Sequence, residues 1–188
     1  MQVYVIRHGE SETNRKKRWT GWLDVPLTQQ GKEDARKAGE YLKGIRFNKV
    51  YTSDLRRAVE TAQIAVPGYS YELSPLLREI NVGNLADTDL ALMTPEQKQR
   101  VTQFGYADFD GETEQDFYRR IHRFTKKLEA LDCETVALFS HAGWLCGMLN
   151  TVFGMHLSRE HILCNNCTIA IFEYADGLWK LHSWINLS

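Results

Sequence analysis

Val3-Tyr4-Val5-Ile6-Arg7-His8-Gly9-Glu10 is an apolar run that stops abruptly at an arginine and a histidine. Its first four residues have the composition of a buried strand. In open α/β sheets ligands bind outside the carboxyl ends of the strands, so a polar pair placed there marks a candidate site. Gly9 lets the backbone turn sharply and a ligand come close.

Further along the chain the pattern repeats. Residues 49–53 (Lys-Val-Tyr-Thr-Ser) read as a strand followed by a helix from Leu55 to Val66. Residues 135–140 (Thr-Val-Ala-Leu-Phe-Ser) read as a buried strand followed by His141-Ala142-Gly143 and a helix from about Trp144 to Phe153. Between these lie a helix at 29–43, capped by Thr28 and ended by Gly44, a strand at 69–73, and the clearest helix, 114–131, with Phe117, Ile121, Phe124, Leu128 and Leu131 on one stripe. Residues 11–26 read as a basic, tryptophan-bearing loop, and 82–112 as a short cap containing a helix at 95–104. Ile169 to Tyr174 and Leu178 to Ile185 flank Ala175-Asp176-Gly177, a hairpin signal. The class expected is α/β: three layers, a mostly parallel sheet with helices on both faces and an antiparallel C-terminal hairpin, all in one domain over residues 1–188.

Bulk properties narrow the function. A net charge of −1 and a pI near 6.6 give no global pull towards nucleic acid or anionic membrane, so neither is an expected partner. No apolar run approaches the roughly 18 residues that cross a bilayer. The N-terminus has no basic segment followed by an apolar one, so a cytoplasmic protein, monomer or homodimer, is expected. Cys164-Asn165-Asn166-Cys167 is the one suggestive cysteine spacing. Zinc would need a second ligand pair, which His156 and His161 match in no standard order, and a redox motif would open a helix. Buried thiols are the expectation.

If strand ends gather on one edge, Arg7, His8, the Arg56-Arg57 pair and His141 meet in one crevice. Arginine offers fixed forks of donors suited to a phosphoryl group, and a neutral imidazole is available near pH 7. The helix start after His141-Ala142-Gly143 adds amide donors. Metal binding competes, but neither histidine has a third ligand at suitable spacing. Periodicity does not choose between Arg56 and Arg57. Glu79, between apolar neighbours in Leu76-Leu77-Arg78-Glu79-Ile80, is either a partly buried acid or a salt-bridge partner of Arg78 or a lysine.

Arg7-His8-Gly9-Glu10 with Thr13-Asn14, Asp24-Val25-Pro26-Leu27-Thr28 with Gly31, Ser53-Asp54-Leu55-Arg56-Arg57-Ala58 with Thr61-Ala62, Leu77-Arg78-Glu79, and Ser140-His141-Ala142-Gly143 resemble, in order, the motifs of the histidine phosphatase superfamily, the phosphoglycerate mutase-like proteins. The resemblance implies that His8 accepts the phosphoryl group, that Arg7, Arg57 and His141 hold its oxygens, and that Glu79 donates the proton. It also implies Asn14, Thr20, Gly21 and Ala142 as substrate contacts, a small phosphate ester as substrate, and no metal or organic cofactor. There is one departure: Gly83 is followed by Asn84-Leu85-Ala86-Asp87, without the tryptophan and glutamate common after the acid, which bears on the substrate rim. Mutases of the family tend to carry a larger insertion, so the short cap favours hydrolysis. Length and Gly111-Glu112-Thr113 loosely resemble α-ribazole phosphate phosphatases. A mutase and a catalytically silent phosphate-binding or scaffold protein are the alternatives.

Overall fold

A computed structural model describes residues 1–187, the side chain of Arg159 excepted. The strands are β1 (Gln2–Arg7), β2 (Lys49–Thr52), β3 (Glu72–Leu73), β4 (Thr135–Ser140), β5 (Ile169–Ala175) and β6 (Leu178–Ile185), and the helices are α1 (Glu12–Arg15), α2 (Gln29–Leu42), α3 (Arg56–Ala65), α4 (Pro95–Phe104), α5 (Glu114–Glu129) and α6 (Ala142–Phe153). They build one six-stranded sheet in the order β3-β2-β4-β1-β5-β6. The first four of these run parallel, and β5 and β6 close the other edge antiparallel.

The pleat sorts β1 between two cores. Val3 and Val5 face Phe117, Ile121, Phe124, Leu128 and Trp144 of α5 and α6, while Tyr4 and Ile6 face Ala35, Ala38 and Leu42 of α2 and Ala62 and Ala65 of α3. Helices thus cover both faces, as expected. Completely buried Ile121, Phe124 and Leu128 each contribute about 1.5–3 kcal/mol against exposure. On the α2–α3 face, alanines let the helices approach closely, and a Cβ on Gly39 would stand 2.9 Å from the Ala65 carbonyl oxygen.

Several boundaries differ from expectation. Residues 11–26 are not wholly loop, because Ser11 and Asn14 form a capping box around α1. The third strand shrinks to Glu72–Leu73, since Tyr69 and Tyr71 pack against the α2–α3 face instead. Helix α6 begins at Ala142, with His141 itself as its N-cap residue. Residues 82–112 form 3₁₀ turns and α4 around a small core of Val82, Leu85 and Tyr106, against which Trp19 packs. Backbone hydrogen bonds from Trp19 to Thr88 (3.0 Å) and from Leu90 to Lys17 (3.2 Å) tie this segment to the loop before it. Among the described residues no helix is long and apolar enough to cross a membrane.

Candidate active site

Because β1 and β4 are parallel neighbours with Arg7 opposite Ser140, the next residue of each strand emerges beside the other. The rings of His8 and His141 lie 5.1 Å apart, edge to face. Strand β2, on the other side of β4, is followed by Ser53, whose Oγ is 2.9 Å from His141 Nε2. Helix α3 starts immediately afterwards and brings Arg57 in, 1% exposed, whereas Arg56 turns outward to Glu60.

The His8 ring has a defined proton arrangement. Its Nδ1 is 2.7 Å from the Gly9 carbonyl, which can only accept, so Nδ1 carries the hydrogen and Nε2 the lone pair. The Nε–H of Arg57 points at that Nε2 from 3.2 Å. The rest of the guanidinium donates to the carbonyls of Leu23 (3.0 Å) and Gly21 (2.9 Å), so its plane is fixed. Burial, with a smaller push from Arg7, lowers its pKa to about 10, which leaves it charged at neutral pH. Burial and then the charge of Arg57 push His141 well below the ordinary histidine value. His141 is therefore neutral near pH 7. Its Nδ1 is buried without a hydrogen-bond partner among the described residues.

Arg7 is buried and donates to the Cys164 carbonyl. Asn14 turns its Oδ1 to the Ser11 amide and to Asn166, which also donates to the His8 carbonyl. Half-buried Glu79 receives the Ile80 amide on Oε1 and the Gly143 amide on Oε2, each at 3.0 Å. The salt-bridge alternative fails for Arg78, whose fork closes on Asp54 at 2.7 and 2.6 Å. Among the described residues Glu79 makes no ion pair.

Other expected contacts are engaged elsewhere. Thr20 is hydrogen-bonded to Thr13 at 2.6 Å, and the Gly21 carbonyl serves Arg57. Ala142 is buried as the first residue of α6. Gly9 does not take a left-handed backbone; its missing side chain makes room for the Gly31 carbonyl, 2.2 Å from where a Cβ would stand. Within Asn84 to Asp87, Asn84 bonds Asp110, Leu85 is buried and Asp87 pairs with Arg18, so the altered stretch knits the cap together. Trp22, 37% exposed, hydrogen-bonds the Glu79 carbonyl. The expectation of four buried thiols is corrected: Cys146 and Cys167 are buried but Cys133 and Cys164 only half so. The Cys164 loop wraps the open end of β1, which leaves it partly exposed. Burial pushes the Cys167 thiol up to about 12. Among the described residues no group of three or more His, Cys, Asp or Glu is arranged to hold a metal ion.

Asn166 and Arg120 are not singled out by the sequence. Neither carries a local signal: Asn166 lies in a loop whose fold depends on β1 and β5, and Arg120 stands off the apolar stripe of α5.

This mixed sheet, with two histidines at adjacent strand ends, is the phosphoglycerate mutase-like fold. Phosphoglycerate mutase from Thermus thermophilus superposes with a TM-score of 0.77 over 100% of both chains at 29% identity. The family model described as histidine phosphatase superfamily (branch 1) matches residues 3–187, and the chain belongs to that family. A probable phosphoglycerate mutase GpmB from Salmonella arizonae is 31% identical over 98% of this chain and 90% of its own. A putative alpha-ribazole-5'-P phosphatase from Escherichia coli shares the fold, with a TM-score of 0.89 over 100% of this chain and 97% of its own at 24% identity.

Proposed function

We propose that this protein is a phosphomonoesterase that hydrolyses a small phosphorylated metabolite through a phosphohistidine on His8. The observation that carries the reading is the His8 ring itself, which is held by the Gly9 carbonyl and presents a lone-pair Nε2 beside the Arg57 fork. In the first step Nε2 attacks phosphorus and an N–P bond forms. The ester P–O bond breaks, and its electron pair leaves with the oxygen, which takes a proton from Glu79. In the second step water attacks the phosphorus, the N–P electrons return to Nε2, and the Glu79 carboxylate takes the water proton. Arg7, Arg57 and neutral His141 hold the phosphoryl oxygens. Phosphoryl transfer asks mainly for positioning and charge stabilisation, which buried, fully directed donors supply.

Turnover of an aryl phosphate should vanish in His8→Ala, and a brief acid-free quench should trap label on His8 in the parent. Full activity of the variant would sink the reading.

A second reading, phosphoglycerate mutase, is favoured by the names of the relatives. The chain covers 90% of the length of the Salmonella protein, so chain length does not set the two activities apart. Interconversion of phosphoglycerates faster than phosphate release would select it.

A further inference from the structure

Arg120 and Glu112 form an ion pair whose side chains are each 11% exposed. A guanidinium has five N–H groups, and here every one is used. Nε donates to Glu112 Oε1 at 2.7 Å, and the two NH1 hydrogens go to the carbonyls of Leu76 (3.1 Å) and Arg78 (2.6 Å). The NH2 group serves the Glu79 carbonyl at 2.8 Å and Glu112 Oε2 at 3.0 Å. Glu112 in turn accepts the Asn81 amide on Oε2 (3.2 Å) and donates its own amide to the Asn81 carbonyl (2.8 Å). Residues 76, 78, 79 and 81 are thereby gripped on both sides of Glu79.

Residues 78–82 lie between 3₁₀ turns and have no helix or strand of their own to satisfy their backbone groups. A buried ion pair contributes little net stability against well-packed apolar residues, so its use here is better understood as specifying a conformation. The conformation specified is the one that sets the Glu79 carboxylate against the Gly143 amide.

We propose that Arg120, with Glu112 as its counter-ion, is a positioning residue for proton transfer by Glu79. The inference rests on the reading of Glu79 as the acid. Lysine retains the charge but, with one rotating ammonium, cannot make the planar five-donor pattern.

The test is a series of phosphate monoesters of graded leaving-group pKa, from alkyl to nitroaryl, run on the full chain as parent, Glu79→Gln, Arg120→Lys, Glu112→Gln and the double variant Glu79→Gln/Arg120→Lys. For alkyl esters Arg120→Lys should lose about tenfold to a hundredfold in kcat/KM, which reads only the steps through phosphohistidine formation and so excludes the later role of Glu79 on water, while nitroaryl esters stay within about threefold in the same constant and inhibition by inorganic phosphate holds. The double variant should lose no more than Glu79→Gln alone. Equal losses across the series, or losses that multiply in the double variant, would overturn the proposal, because a merely structural role weakens all substrates alike. Should Arg120→Lys fail to fold, Glu112→Gln decides by the same criteria. A flat leaving-group profile in Glu79→Gln would remove the acid assignment itself. A graded profile there with a flat one in Arg120→Lys would remove only the positioning role.

Discussion

The backbone amide of Gly143 donates to Oε2 of Glu79, 3.0 Å away, so the first turn of α6 and the link after β3 meet at one carboxylate. A Cβ on residue 143 would stand 2.1 Å from Oε1 of the same group. The obstruction is the end of a flexible side chain, so in Gly143→Ala the carboxylate should move and the fold should not. Alanine is also better than glycine inside a helix by about 1 kcal/mol. Activity should fall by about tenfold to a hundredfold while the melting temperature holds or rises. Steady-state kinetics beside thermal denaturation checks this, and parallel losses in both would count against it.

Arg57→Lys retains a positive charge but loses the three directed contacts to His8, Leu23 and Gly21. We expect kcat to fall by about a hundredfold to a thousandfold, the range for removing one preorganised donor to a developing charge. Leaving the buried Gly21 carbonyl unsatisfied should also cost about 1–3 kcal/mol in chemical denaturation.

Buried His141 makes stability depend on pH with a definite sign. His141 is held well below its unfolded value by burial and by Arg57, so the unfolded chain binds the extra proton first. The stability linked to His141 is complete above about pH 6.5 and is lost as pH falls from there towards the folded value. Melting temperature should therefore drop on acidification below neutrality, and less steeply in His141→Gln. An unchanged slope in the variant would contradict this.

Within the cap, backbone shape should matter more than charge. Asp87 and Arg18 are 53% and 42% exposed, so Asp87→Asn should cost less than about 1 kcal/mol. Gly83 has φ +55°, and a Cβ there would stand 1.8 Å from the Phe109 carbonyl oxygen, so Gly83→Ala should cost at least about 1–3 kcal/mol. Denaturant midpoints compare the two directly.

Much of the architecture was legible in the sequence because local rules suffice for it. The continuous apolar run from Val3 to Ile6, buried on both faces, the stripe from Phe117 to Leu128 and the turn at Asp176-Gly177 each express a period or a backbone preference that a few neighbouring residues set. The ordered motifs likewise located His8, Arg57, Glu79 and His141 as candidates without contacts.

Only the tertiary structure decided what those residues touch. The ordered motifs already pointed to Arg57 over Arg56, but that Arg57 is 1% exposed and reaches the His8 ring follows from which side of α3 faces the end of β1. The His8 tautomer depends on the Gly9 carbonyl, and the freedom of Glu79 from Arg78 depends on Asp54, 24 residues before that arginine. Arg120 reads as surface charge in sequence and becomes largely covered only because α5 packs against the link carrying Glu79. Hydrogen-bond donors and acceptors are paired by distance in space, and the chain records that distance only once it has folded.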